Sequence, residues 1–218
     1  MKCFMKKYEV INKLIKRFNF KSYLEIGLDN PSLNFEKIKC DLKESVDPYV
    51  DMIGNKITPK LEYLNSLTYR MTSDEFFESI KDDKKYDFIF IDGLHYDKQV
   101  VKDIVNSMKH LSNNGIIMMH DCLPIQEIHQ VYPADKSFMG AWTGNVWKTL
   151  PTIFNKLQKI EYYTIDTDWG LGILPKQEIT FHVNDYSSEY IWDDFVKSRD
   201  ELMHLISVED FLKKYNLE

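Results

Sequence analysis

The chain has 218 residues, 28 Lys and Arg against 34 Asp and Glu, a formal net charge of −6, 44% apolar and 28% charged residues, and only 8 glycines. The length suits one domain with a single sizeable core, and the sparse glycine excludes collagen-like, linker-like and low-complexity classes. A mildly acidic chain with no dense basic run is a poor candidate for a dedicated nucleic-acid binder, and no stretch approaches the roughly 20 apolar residues of a membrane span.

In chain order, Val10, Leu14, Ile15 and Phe18 recur at helical spacing and predict an amphipathic first helix within residues 1–20. Tyr23-Leu24-Glu25-Ile26-Gly27 reads as a short buried strand closed by a turn, and Ile38 to Val46 as a second strand stopped by Pro48. Residues 49–66 have no regular pattern, and Leu67 to Met71 reads as a third strand. Thr72-Ser73-Asp74-Glu75 fits a capping box, with Phe76, Phe77 and Ile80 forming the apolar face of the helix behind it. Tyr86 to Asp92 and Ile116 to Asp121 are apolar runs closed by acids, as expected of strands covered on both faces. Between them Val100, Val101, Ile104, Val105, Met108 and Leu111 predict a helix, with Asn113-Asn114-Gly115 as its C-cap. Strand, helix, strand in this arrangement is a right-handed parallel crossover.

Residues 160–165 and 171–174 flank Asp168-Trp169-Gly170 as a hairpin, and residues 191–215 read as one or two outer helices. The expected fold is α/β: a Rossmann-like, seven-stranded, mostly parallel sheet with helices on both faces and an antiparallel late hairpin. Residues 1–218 read as one domain, with 190–218 a helical extension. Lys6-Lys7, Lys84-Lys85 and Lys213-Lys214 read as solvated faces. Cys3, Cys40 and Cys122 make neither a disulfide framework nor a zinc pattern. With no secretory signal at the N-terminus, a cytoplasmic protein with reduced thiols is the expectation. A homo-oligomer stays open, because an apolar helix face and a dimer interface read alike in one dimension.

In an open parallel sheet, ligands bind beyond the carboxyl ends of the strands. Asp47 lies about 20 residues after Gly27, the spacing at which an acid binds ribose hydroxyls in nucleotide-binding folds. It reads equally as the cap of a turn before Pro48. Gly27-Leu28-Asp29-Asn30-Pro31 carries one glycine where a dinucleotide fingerprint needs three. That favours a nucleoside-like ligand without a pyrophosphate, of which S-adenosylmethionine is the commonest. Its amino-acid part would sit on backbone groups near Gly27, with Glu25 fixing the loop or the ligand's ammonium. Asp92 and Asp121 close linked strands and would lie roughly 5 Å apart if those strands pair. Two such carboxylates repel unless a proton or cation sits between them, and an oxygen pair suits Mg²⁺ or Mn²⁺. Cys122, beside Asp121, is a poor ligand for such an ion. His95, in a loop just past a strand, is placed for general-base work. His120 points away from Asp121 if its strand continues, which reads as a structural histidine.

Tyr23-Leu24-Glu25-Ile26-Gly27, Val46-Asp47-Pro48, Thr72 to Phe77, Phe90-Ile91-Asp92-Gly93-Leu94-His95-Tyr96 and His120-Asp121-Cys122-Leu123-Pro124 occur in this order. The succession resembles class I S-adenosylmethionine-dependent methyltransferases, and within them the subgroup associated with glycan and sugar modification. Gly140 to Lys148 and Asp168 to Gly172 look like later blocks of that subgroup, so the likeness spans about residues 20–212. It implies that Glu25, Gly27 and Leu28 surround the methionine part, that Asp47 binds ribose, and that Thr72 and Ser73 flank adenine. It further implies that Asp92 faces the methyl donor and, with Asp121, holds a metal, and that His95 is the candidate base. The acceptor would be a sugar or other small hydroxylated molecule.

Trp142, Trp147 and Trp169 suit stacking on a sugar face and suit a core equally well. Two other readings compete. A nicotinamide-dependent oxidoreductase or epimerase would need a glycine-rich first loop and a Tyr-x-x-x-Lys couple. Only Tyr132 and Lys136 have that spacing, and Pro133 breaks the helix between them. A non-catalytic binding protein on a degenerate methyltransferase scaffold would lose the strand-end acids, and Glu25, Asp47, Asp92 and Asp121 are all present.

Overall fold

The computed structural model describes residues 3–49, 58, 60–134 and 140–217. Lys136 and Gly54 lie outside the described residues, and so does most of the irregular stretch before Leu61. Seven strands form one sheet: β1 (Ser22–Ile26), β2 (Leu42–Val46), β3 (Tyr86–Ile91), β4 (Leu111–Met119), β5 (Tyr163–Ile165), β6 (Leu171–Pro175) and β7 (Leu205–Ile206). Their spatial order is β2-β1-β3-β4-β6-β5-β7. β1 pairs in parallel with β2 and β3, β3 with β4, and β5 with β7, while β6 runs against both β4 and β5. The parallel part and the antiparallel hairpin stand as the sequence predicts.

Helices α1 (Lys7–Phe18), α2 (Leu61–Leu64), α3 (Ser73–Ser79), α4 (Asp97–His110), α5 (Thr149–Thr152), α6 (Trp192–Leu202) and α7 (Val208–Tyr215) cover the sheet. Side chains alternate across each strand, so the core has two layers. Leu24, Ile26, Ile89, Ile91, Ile117 and Met119 pack with Phe76 of α3, Ile104 of α4, Leu150 of α5 and Phe195 of α6. Tyr23, Phe88, Phe90, Ile116 and Met118 pack on the other face with Val10 and Leu14 of α1 and with Val208 and Phe211 of α7. Each fully buried apolar side chain contributes about 1.5–3 kcal/mol, which is why short strands suffice here.

Three sequence expectations change. Leu67 to Met71 is reduced to a single parallel bridge, Val46 to Tyr69, because the Ser45 and Thr68 hydroxyls take up the neighbouring backbone groups. Gly115 lies inside β4 rather than capping α4, where a Cβ would meet the Leu111 side chain at 2.6 Å. Phe18 is 39% exposed, stacked beside Phe20 and edge-on to Tyr215 at the rim of the α1 layer. The capping box of α3 forms as expected, with the Glu75 amide donating to Thr72 Oγ1 at 3.2 Å and the Thr72 amide to Glu75 at 2.8 Å.

The start of α1 is clasped to the hairpin between β5 and β6. The buried Thr167 hydroxyl accepts from the Met5 amide at 3.0 Å and donates to the Met5 carbonyl at 2.7 Å. The Lys7 amide donates to Asp168 Oδ2 at 2.6 Å. Thr167→Val is therefore expected to strand both Met5 groups and to lower stability by about 1–3 kcal/mol. Thermal unfolding followed by circular dichroism measures this, and an unchanged midpoint would refute the clasp.

Candidate active site

A cavity of about 1080 Å³ opens at the carboxyl ends of β1, β2, β3 and β4, where an open parallel sheet places its ligands. Glu25, Gly27, Leu28, Asp47, Thr72, Ser73, Asp92, His95 and Asp121 all line it, so every candidate residue drawn from the sequence converges there. Lys7, Asn34 and His120 line it too.

The first loop is held by backbone geometry. Gly27 has φ +90°, and a Cβ there would lie 2.1 Å from the Asp92 carbonyl oxygen, so only glycine lets β1 turn this closely past β3. Asp47 accepts from the Leu28 amide at 2.8 Å and from the Tyr49 amide at 2.5 Å. It thus caps its own turn and ties β2 to the first loop, with lone pairs left on both oxygens. Thr72 Oγ1 is committed to the α3 cap, while Ser73 Oγ accepts from Gln99 Nε2 at 3.2 Å.

Glu25 projects toward the α1 layer and is 2% exposed. Burial pushes its carboxyl up to about 7, against the opposing pull of the Tyr23 hydroxyl, the Lys7 charge and the Asn34 amide. The Asn34 nitrogen donates to Glu25 Oε2 at 2.8 Å and to the Tyr23 oxygen at 3.1 Å. This leaves the buried Asn34 Oδ1 without a hydrogen-bond partner.

At the centre, the Asp92 and Asp121 carboxylates are engaged by three basic side chains. His95 Nε2 lies 3.2 Å from Asp121 and 3.3 Å from Asp92. His120 Nδ1 lies 3.3 Å from one oxygen of each acid, and Lys7 Nζ lies 2.5 Å from Asp92 Oδ2. The alternation argument for His120 fails because β4 ends at Met119 and Asp121 turns left-handed, at φ 60°. His95 is left-handed as well, at φ 56°, and such strain costs of order 1–3 kcal/mol per residue where a site requires it. Lys7 overturns the solvated-face reading: its side chain is only 18% exposed. Nothing in the linear pattern marks it, since its partner lies 85 residues away.

The charges reinforce one another. Burial works to raise the Asp92 carboxyl, but Lys7 and His120 hold it well below the usual carboxylate range. Burial would lower His120, but Asp121 and Asp92 push it up to about 10. The same acids raise His95 above its ordinary value, again against burial. Lys7 is carried to about 12, burial opposing and Asp92 prevailing. Asp92, His95 and Asp121 bring one donor atom each within 4.8 Å of one another. By count this is a metal-ligand set. By charge it does not fit a divalent ion, because an ammonium and an imidazolium already engage the same two carboxylates. Cys122 is no substitute ligand, for its buried Sγ faces the Met119 and His120 carbonyls at 3.8 and 3.6 Å and burial pushes the thiol up.

The loop from Gly140 to Asn145 packs against His95. Trp142 stacks on the imidazole with ring centres 5.0 Å apart, Tyr132 stacks on Trp142 at 6.2 Å, and Tyr96 on Tyr132 at 4.3 Å. Gly144 has φ +57°, and a Cβ there would lie 1.9 Å from the His95 carbonyl oxygen. Trp147 is instead a core residue with 0% exposure, and Trp169 lines the cavity mouth.

Residues 29–122, a little under half of the chain, match a family model described as a methyltransferase domain. Three solved structures are similar in fold. Cofactor-bound Rv0187 from MTB is 11% identical, with TM-score 0.51, covering 80% of this chain and 82% of that one. An O-methyltransferase from Bacillus cereus in complex with SAH is 11% identical, with TM-score 0.49, covering 79% and 82%. The O-methyltransferase TomG from Streptomyces achromogenes, involved in tomaymycin synthesis and in complex with SAM, is 9% identical, with TM-score 0.48, covering 77% and 79%. No curated protein matches the chain. The matched segment carries β2, α2, α3, β3, α4 and β4, and so three of the four strands at whose ends the cavity opens. A methyltransferase-domain match thus lies on strands that frame the cavity, and the fold is one shared with cofactor-bound Rv0187.

Two outcomes are expected. Gly27→Ala, folded by circular dichroism, loses at least tenfold in calorimetric affinity for S-adenosylhomocysteine; unchanged affinity would refute the close turn. His120 is raised, so its stabilising contribution is full below about pH 6.5 and disappears as pH rises through about 10. His120→Gln should flatten that alkaline decline in thermal stability.

Proposed function

We propose that this chain is an S-adenosylmethionine-dependent O-methyltransferase, with residues 1–218 acting as one domain on a hydroxyl of a sugar or other small hydroxylated acceptor. The observation that carries the proposal is the His95 imidazole, gripped between Asp92 and Asp121 at the cavity and covered by Trp142.

The cavity suits the cofactor. The first loop has the close turn at Gly27 that a nucleoside-type ligand needs, and it lacks the glycines of a pyrophosphate cradle. Glu25 and the unpartnered Asn34 Oδ1 offer acceptors for an ammonium, Asp47 offers free lone pairs for the ribose diol, and Thr72 and Ser73 border the adenine end. When bound, the cofactor supplies an electrophilic methyl group.

What the chain's own residues must do is align and deprotonate. In-line displacement needs the acceptor oxygen held against the methyl carbon, mainly a positioning task. A sugar hydroxyl is a weak nucleophile and must lose its proton on the way. His95 takes that proton in its neutral form. Nε2 faces the two acids, so Nδ1, which is buried without a partner, is the nitrogen left to accept it. Asp121 and Asp92 then stabilise the imidazolium. The half-buried Trp142 ring, continued by Tyr132 and Tyr96, gives an aromatic surface against which a sugar ring can lie. Cys3, Cys40 and Cys122 are free thiols, and among the described residues no helix is long and apolar enough to cross a membrane.

Calorimetry tests the cofactor: S-adenosylmethionine and S-adenosylhomocysteine should bind and NAD should not, and the reverse would overturn the proposal. His95→Ala should lower kcat by about 10²- to 10⁴-fold while cofactor affinity is kept. Because the base must be neutral and its pKa is raised, kcat/KM should rise with pH through a midpoint above 6.5. Asp121→Asn should move that midpoint down, and a midpoint that stays put or rises would refute His95 as the base.

A further inference from the structure

Lys7 stands apart from the other residues of the site. It is the first residue of α1 and precedes the segment that matches a methyltransferase domain, yet its ammonium touches Asp92 Oδ2 at 2.5 Å. The backbone fixes it there. The Lys7 amide is bound to Asp168, and Met5, two residues before it, is bound through both main-chain groups to Thr167. Its stem passes Phe90, with Nζ 5.6 Å from the ring centre, so the charge is delivered from the α1 layer through an apolar wall. Asp121 and Glu25 lie within its electrostatic reach.

Paired carboxylates at neighbouring strand ends need compensating positive charge. Here Lys7 meets one oxygen of Asp92, and His120 bridges the other oxygen to Asp121. Two positive groups thus balance two negative ones. A divalent ion entering between the acids would sit beside a fixed ammonium and would have to displace both contacts.

We propose that Lys7 is the resident cation of this site, taking the place of a divalent metal between Asp92 and Asp121, so that methyl transfer by this chain requires no metal ion. Lys7 is a positioning residue: it acts through Asp92, fixing the carboxylate that in turn orients His95. The inference rests on the methyl-transfer reading of the site and adds to it how the acidic pair is held.

The test is Mn²⁺ binding to the full chain, followed by electron paramagnetic resonance with S-adenosylhomocysteine present, for the wild type, Lys7→Met, Lys7→Arg, Asp121→Asn and the double variant Lys7→Met with Asp121→Asn. The wild type and Lys7→Arg are expected to bind no stoichiometric Mn²⁺ at millimolar ion. Lys7→Met is expected to gain one Mn²⁺ per chain, and the double variant to lose it. One Mn²⁺ per wild-type chain, removed by Asp121→Asn, would overturn the proposal. So would a folded Lys7→Met that gains none. If Lys7→Met does not fold, the wild-type titration alone decides, with Lys7→Gln as the second variant. S-adenosylhomocysteine affinity is measured on the same samples by calorimetry: its absence in the wild type would defeat the methyl-transfer reading, whereas Mn²⁺ binding with that affinity intact defeats only the role of Lys7.

Discussion

Two carboxylates forced together at the ends of β3 and β4 are the constraint around which this molecule is arranged. The parallel pairing of Phe90 with Met118 and Ile91 with Met119 places Asp92 and Asp121 beside one another. No solvent-exposed location is available to relieve them, since Asp121 is 5% exposed. The structure answers from three directions: α1 sends the Lys7 ammonium, the end of β4 supplies His120, and the loop after β3 folds the His95 imidazole back onto both acids. Left-handed backbone at His95 and Asp121, the close turn at Gly27 and the tight packing of Gly144 on His95 are the local concessions that bring these groups into contact. Strain of this kind persists only where surrounding structure over-determines it, and here the sheet does so from one side and the Trp142 loop from the other.

Much of the architecture was legible from apolar periodicity. Tyr86 to Ile91 and Ile116 to Met119 are apolar on both sides because helices cover both sheet faces, and a continuous apolar run carries that information directly. Leu67 to Met71 carried a false signal. Its apolar residues serve a single bridge and partial packing of Tyr69 and Met71 against the core, contacts that a strand pattern does not separate from a full ladder. Asn113-Asn114-Gly115 misled for another reason. Gly115 is small because Leu111 and the Asp87 carbonyl press on it, a tertiary demand that mimics a cap in one dimension.

The candidate site was legible where a residue's place on a strand end decided its fate. Asp92, Asp121, Asp47 and Glu25 each follow or close an apolar run, and each lines the cavity. Lys7 was not legible, because a lysine pair at the start of an amphipathic helix looks like a solvated edge and its meaning depends on what a distant strand end presents. His120 misled through a rule that holds only inside a strand: alternation stops at Met119, and the left-handed turn at Asp121 brings both residues to one side.

The clasp between Met5 and Thr167 gives the site an order of assembly. Its acids and histidines lie between residues 92 and 121, but the helix that carries Lys7 is anchored by a hairpin emerging some way further on. A chain leaving the ribosome has its first helix long before the partner that seats it. Until Thr167 and Asp168 appear, Asp92 and Asp121 lack their ammonium, and the growing chain holds an incomplete, electrostatically frustrated pocket. Completion of the charge cluster thus coincides with docking of the late hairpin, so that a ligand-competent cavity is a property of the finished sheet and not of the segment that contains its acids.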